Sequence, residues 1–323
     1  MRLRTVLIAA TATVALASLA PAARAQDPGL AYPATSEMSD TKLGSVLFFN
    51  LYSSGIDPSV DETHFAITNG DGTNAQRVRI FLVDGATGSA LSTPLCLGPN
   101  QTFGLNASQV DPGVRGWIIA VAVDVNGCPL GTEANVLSGL AHVKLAEGFR
   151  GTLPAVAVSS LFSGTLPGCD ANSTTAALSF NGVSFNRLPR LASVDNFPSR
   201  ADGTRQLLVV NRIAGNLGTT TSSIGKIVGN LWDDAESRHG YVMLAPASQL
   251  VAELMNGTPV TAPPMETVVS AGRTGWTRIR IFGGDIAHLG AVLFTPPNGA
   301  MNLPTSTLSA ASSLTMPVSA PGC

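Results

Sequence analysis

Trp232, Asp233 and Asp234 stand in one short run with Glu236, so an aromatic ring lies beside three carboxylates. An indole is apolar over its ring and polar at its N–H. Beside carboxylates that accept hydroxyls, it would suit a sugar, so Trp232, Asp233 and Asp234 are the candidate ligand site, with core packing of Trp232 the plainer reading; Asp233, Asp234 and Glu236 also offer an acid and base pairing. A second acidic group, Asp57 with Asp61 and Glu62, offers another acid and base pairing. A glycosidase, however, needs two carboxyl groups held about 5–9 Å apart across the scissile bond. Only the fold can set that spacing, so neither cluster marks an active centre by itself.

Asn69-x-Asp71-x-Thr73 puts oxygen-bearing side chains at alternate positions, as the opening of a calcium loop does. Asp57, Asp61 and Glu62 are its candidate extra ligands. The distal bidentate Glu of such a loop is missing, and a polar hairpin turn is the plainer reading. No cofactor is expected, and calcium is the one metal this loop would suit. The sequence has no Gly-x-Ser-x-Gly elbow, no His-Glu-x-x-His and no phosphate loop ending in Lys, which removes the easily read hydrolases, metalloproteases and nucleotide enzymes. His64, His142, His239 and His288 lie far apart along the chain and read as surface or capping residues. Trp117 and Trp276 each open an apolar run after a Gly and read as core.

The elements that must hold these groups begin after a leader. Arg2 and Arg4 precede an uncharged apolar stretch, Thr5 to Ala20, and Ala23-Arg24-Ala25 supplies a small-x-small cleavage site. Residues 1–25 are therefore expected to be a signal peptide for the general secretory route. The apolar stretch is shorter than the ~20 residues that span a bilayer. Processing removes three of the 19 basic residues, leaving 16 against 21 acidic ones. That balance argues against nucleic acid as a partner, and no later run is long enough for an integral membrane helix. An exported protein of the cell surface, medium or periplasm is expected, with a glycan or another envelope protein as its partner.

Cys96, Cys128, Cys169 and Cys323 remain after processing, and in an oxidising compartment an even count implies disulfides. Of the three pairings, Cys96 with Cys128 and Cys169 with Cys323 is favoured, because the first pair falls within one expected domain. Metal-knuckle spacing is absent.

Short apolar or alternating runs recur between turn formers, at Val46 to Tyr52, Thr63 to Asn69, Arg77 to Asp84, Gln101 to Asn106 and Trp117 to Asp124. Arg77-Val78-Arg79-Ile80 and Arg278-Ile279-Arg280-Ile281 alternate with the period of a strand that has one wet face. Only Ala247 to Met255 has a helical look. Val46–Asn50 echoes Leu207–Asn211 at an offset of 161, as Thr68-Asn69 echoes Gly229-Asn230 and Ile80–Val83 echoes Tyr241–Leu244. Gly113–Trp117 echoes Gly272–Trp276 at 159, and Leu130-Gly131 echoes Leu289-Gly290. These echoes predict an all-β protein with two tandem β-sandwich domains of Ig-like or jelly-roll-like type. The expected organisation is a signal peptide at 1–25, a linker at 26–40, domain 1 at 41–165, a Pro/Ser-rich segment at 166–204, domain 2 at 205–297 and a flexible tail at 298–323. One extra strand, Ala176 to Phe180, is expected in the segment between the domains.

The succession Gly44-Ser45-Val46-Leu47, Ile67-Thr68-Asn69, Phe81-Leu82-Val83-Asp84-Gly85, Cys96-Leu97, Pro99-Asn100-Gln101-Thr102, Asp111-Pro112-Gly113 and Ala120–Asp124 with Gly127-Cys128-Pro129 resembles a group of uncharacterised exported bacterial β-rich proteins. The resemblance implies export and β architecture, and it implies no activity. A non-catalytic secreted or surface protein with a structural, adhesive or binding role is the main expectation. A carbohydrate-binding module and an unrecognised extracellular hydrolase are its rivals. A coplanar row of exposed aromatics would mark the first rival, and a cleft with two facing carboxylates the second.

Overall fold

The computed structural model describes residues 38–254, 268–309 and 311–322 of the chain. The expected signal peptide and Cys323 lie outside the described residues. The all-β expectation holds, and the strands assemble into five sheets.

In the first sheet the order is β4 (Ala90–Leu97), β3 (Gln76–Asp84), β6 (Arg115–Val123), β1 (Val46–Ser53) and β9 (Val156–Val158). The second runs β5 (Thr102–Asn106), β2 (Glu62–Asn69), β7 (Leu137–Lys144) and β8 (Arg150–Pro154). Next comes the third, with β15 (Arg238–Ala245), β14 (Gly225–Trp232), β17 (Thr274–Ile281), β11 (Pro189–Pro198) and β20 (Thr305–Leu308). β16 (Gln249–Leu254), β12 (Arg205–Arg212), β18 (His288–Thr295) and β19 (Gly299–Asn302) form the fourth. A small fifth sheet joins β10 (Thr175–Ser179), β21 (Ser313–Pro317) and β13 (Gly215–Asn216).

The expectation of two tandem β-sandwich domains is overturned. Five small sheets lie in one compact unit, Ala34–Cys323, and apolar packing crosses the expected boundary. One core joins Leu47, Phe49 and Ile118 of the first sheet and Phe65 and Val143 of the second to Leu207, Val209, Ala291 and Leu293 of the fourth. A second core covers the opposite face of the first sheet, where Phe48, Phe81, Trp117 and Ile119 meet Leu178, Leu314 and Met316 of the fifth. The third core lies between the third and fourth sheets and contains Val194, Leu208, Ile227, Tyr241, Ile279 and Val292. Separate domains would each need a closed core. Here β12 and β18 lend one face to each of two cores, so the halves are not separable.

This sharing explains the sequence pattern. β1 is buried along its whole length and β12 along its interior, so both read as unbroken apolar runs rather than alternating ones. The echo between Val46 and Leu207 reflects that common environment, since the strands occupy different places in the sheets. In sheet order, the counterpart of β1 is β11, and that of β12 is β2. The Trp117 and Trp276 echo does fall on counterparts, β6 and β17.

Three local expectations also change. Ala247 to Met255 does not begin a helix, because Gln249–Leu254 is strand β16, paired with β12. The tail expected to be flexible carries β19, β20 and β21, which complete three sheets. The favoured disulfide pairing fails as well. Cys96 on β4 and the turn after β6 flank β3 on opposite sides, roughly 10 Å apart at the ~4.8 Å strand spacing. A disulfide requires Cα atoms within about 7 Å. Cys128 instead pairs with Cys169, with Cα atoms 5.8 Å apart, where Leu166 N–H donates to the Pro129 carbonyl at 2.8 Å. Cys96 is also disulfide-bonded. The extra strand expected near Ala176 is β10.

Candidate functional site

Trp232 ends β14, and Asp233 to Ser237 form the hairpin into β15. Asp233 accepts from the backbone N–H of Ala235 at 3.0 Å and of Ser237 at 2.7 Å, an Asx-type closure of the turn. The bond from the Ser237 N–H is the main cause holding the Asp233 carboxyl below its ordinary range. Glu236 takes the left-handed backbone at φ 62°. Asp234 receives Arg273 Nη1 at 2.9 Å. That pair is exposed, so it orients the loop more than it stabilises it.

Register then sets Trp232 directly against Trp276 on β17. Their rings stack with centroids 3.9 Å apart and planes 4° from parallel. The Arg278 guanidinium lies 5.1 Å from the Trp276 centroid and 5.9 Å from that of Trp232, a cation–π arrangement. A depression of about 410 Å³ beside the stack is lined by Asp195, Asp233, Asp234, Glu236, Thr274 and Trp276. The structure thus brings together Trp232, Asp233, Asp234 and Glu236, and adds Asp195, Thr274 and Trp276.

Trp276 is not core. It is half-buried on the outward face of the third sheet, whereas its counterpart Trp117 is 1% exposed. The difference comes from what covers each sheet. β10 and β21 close over the Trp117 face, while the third sheet's face leaves Val242, Leu244 and Phe282 at 42%, 73% and 56% exposure. Stacking turns one ring onto the other, so the two indoles offer their edges and an outer face rather than a coplanar row.

This arrangement suits binding better than proton transfer. Asp233 is committed to its turn and Asp234 to Arg273, and Asp234 and Glu236 sit exposed on a hairpin. A general acid at neutral pH needs a desolvated carboxyl free to give up its proton, whereas Asp233 is committed to its turn and Asp234 and Glu236 are exposed. A larger cavity of about 480 Å³, lined by Val194, Gln206, Val292, Phe294 and Met301, continues the third core outward, with Asp195 its one ionisable lining residue.

The other candidate groups are placed differently. Glu62 opens β2 and Asn69 closes it, roughly 23 Å away at 3.3 Å per residue. Glu62 therefore does not reach Asp71, and it instead accepts from the Ser108 N–H at 3.1 Å. Asp71 Oδ1 accepts from the Thr73 N–H and hydroxyl, both at 2.8 Å, and from the Asn74 N–H, while Oδ2 accepts from the Asn74 amide. Asn69 Oδ1 accepts from the Asp71 N–H at 3.0 Å. Asn69, Asp71 and Thr73 thus form a self-satisfied turn, and those bonds, led by the Asn74 amide, hold the Asp71 carboxyl far below its usual range. Asp57 caps its own turn through the Ser59 N–H, and Asp61 faces Arg115 at 3.4 Å. The histidines are not all apart: His64 and His142 are opposed across β2 and β7, with ring centroids 6.5 Å apart.

No family model matches the sequence, and no curated protein matches it. Among solved structures, Thermotoga maritima 1070 is similar over 38% of this chain and 97% of its own, with 12% identity and a TM-score of 0.27. Peptide:N-glycanase F is similar over 86% of this chain and 96% of its own, with 8% identity and a TM-score of 0.19. An oxalate decarboxylase of Lactobacillus farciminis covers 84% of this chain and 76% of its own, with 8% identity and a TM-score of 0.17. Likenesses this slight say nothing about what the site does.

Proposed function

We propose that this is a non-catalytic binding protein of the cell surface, medium or periplasm, and that it holds a glycan at the Trp232–Trp276 end of the third sheet. One observation carries the reading: at equivalent strands, Trp117 is sealed beneath a further sheet, while Trp276 is only partly buried beside carboxylates that accept hydroxyls. An indole edge and face at the rim of a carboxylate-lined depression supply the apolar and polar contacts a sugar ring needs. The Cys128–Cys169 disulfide fits an oxidising compartment. Export by the leader at 1–25, and membership of an exported bacterial group, belong to the same proposal. So does descent of the two halves from one repeated unit, which the matched strand orders support.

The test is to measure retention of the purified protein on immobilised polysaccharides while assaying the same polymers for cleavage. Saturable retention without turnover, lost in Trp276→Ala, is the expected result. Turnover that disappears in Asp195→Asn or Glu236→Gln would replace the reading with a hydrolase. Retention on envelope protein with none on any polysaccharide would replace the glycan with a protein partner.

A further inference from the structure

Resting on that glycan reading, we infer that the ligand is an anionic polysaccharide, read by a strip of unpaired cations along the outward face of the third sheet. Residues of one parity on β14, β15 and β17 share this face, since alternate side chains of a strand point to one side. Cross-strand register fixes their rows: Arg238, Trp232 and Trp276; then Gly240, Asn230 and Arg278; then Val242, Val228 and Arg280; then Leu244 and Lys226. Phe282 follows β17 at the end of the strip, where Lys226 Nζ lies 5.2 Å from its ring centroid.

Lys226, Arg238, Arg278 and Arg280 are all exposed, and among the described residues no carboxylate pairs with any of them. Arg115, Arg205 and Arg273 pair with Glu147, Glu253 and Asp234, and other cations without a carboxylate partner among the described residues, such as Arg77, Arg150 and Arg187, lie on separate elements; the third sheet differs in gathering four on one face. Four unpaired cations on one face stand out in a chain with 19 basic and 21 acidic residues.

Spacing identifies the class of ligand. Four rows at about 6.7 Å per two residues make a strip roughly 20 Å long. The cations lie along it without converging, which fits a polymer with repeated carboxylates or sulfates better than one small anion. At the far end, Asp195, Asp233, Asp234 and Glu236 repel any anionic group but accept hydroxyls, so the charged run ends there and a neutral sugar hydroxyl is what that end accepts. Single-stranded nucleic acid is held by successive bases stacked on several aromatic faces, whereas Trp232 and Trp276 are stacked on each other and so offer no row of separate platforms. Gly240, which has no side chain, leaves Asn230 open in the middle of the strip, where a sugar ring could lie against the sheet.

The experiment measures binding of the full chain to polygalacturonate, to neutral dextran and xylan, and to single-stranded DNA, at low and at 0.3 M salt. It is repeated with Arg278→Ala/Arg280→Ala, and with Arg77→Ala as an exposed control on the first sheet. The expected result is preference for polygalacturonate, weakened about tenfold or more both by the double variant and by salt, as exposed charges are screened within about 10 Å at 0.1 M. Arg77→Ala should bind as the parent does. Equal, salt-insensitive binding of neutral polymers would overturn the anionic inference and leave the glycan reading standing. Tighter binding of DNA would overturn it in favour of nucleic acid. Binding of no polysaccharide would remove both readings, provided circular dichroism shows the protein folded.

Discussion

Asn211 Nδ2 donates to the backbone carbonyl of Asn50 at 2.8 Å, joining the middle of the fourth sheet to the middle of the first. Asn50 Nδ2 in turn donates to the Gly290 carbonyl at 2.9 Å and to Asn302 Oδ1 at 2.8 Å. Gln249 Nε2 reaches Asn211 Oδ1 at 2.8 Å and the Gly116 carbonyl at 2.9 Å. Asn50, Asn211 and Gln249 are all buried, so the contact between the halves is a satisfied polar network set among apolar cores. Such a network fixes one alignment, because a shifted alignment would leave buried donors without partners.

Asn211→Ala strips partners from the Asn50 carbonyl and from Gln249 at once. The Asn50 carbonyl keeps only the 3.4 Å bond from Gln249 Nε2, and Gln249 keeps the Gly116 carbonyl; a weakened buried network of this kind costs ~1–3 kcal/mol, the loss expected in urea unfolding. Asn172→Ala, on an exposed turn, should change stability by less than about 0.5 kcal/mol. Equal effects in the two variants would show that the seam contributes nothing.

Trp117 and Trp276 occupy counterpart strands but should respond differently to truncation. Trp117→Ala empties a site within the second core and should cost ~3–5 kcal/mol. Trp276→Ala removes a partly buried ring that stacks on Trp232 and faces Arg278, and should cost about 1 kcal/mol while abolishing polysaccharide retention. Thermal unfolding separates the two. Comparable destabilisation by both would mean that the third sheet's face is covered in solution.

The sequence held the signal for this difference in its parity. Trp276 alternates in step with Arg278 and Arg280, whereas Trp117 keeps step with Ile119 and Val121, so only the second belongs to a strand buried on that side. Strand positions were legible for the same reason: β3 and β17 alternate, and β1 does not. What local pattern does not encode is which sheets share a core. β12 reads as an ordinary buried strand, and nothing in it states that Leu207 and Val209 face one core while Leu208 and Val210 face another. The carboxylates of the Asp233 hairpin were visible beside Trp232, but Asp195 and Thr274 join them only through the pairing of β11, β17 and β14.

Cys128→Ser should lower stability by about 4 kcal/mol, as expected for a bridge closing a loop of 41 residues. Peptide mapping of unreduced protein should find the Cys128 and Cys169 peptides linked. Recovery of Cys128 joined to Cys96 would contradict the placement of the 124–129 turn against residues 165–170.

His288 gives the fold a pH dependence with a definite sign. Burial in the interior, where neither ring nitrogen finds a hydrogen-bond partner among the described residues, lowers its pKa to about 4 from 6.5. The unfolded chain therefore takes up a proton between about pH 6.5 and 4 that the folded chain refuses. Stability is complete above the unfolded value and declines as pH falls through that window, by about 3 kcal/mol in total at 1.36 kcal/mol per pH unit. Carboxylates held low in the fold, such as Glu147 beside Arg115, add their own loss only nearer the acid end. The window from pH 6.5 to 5 thus reports mainly on the histidine. Urea midpoints measured across it should fall for the parent and stay flat for His288→Gln. A parallel fall in both proteins would assign the dependence to other groups and place the His288 ring within reach of water.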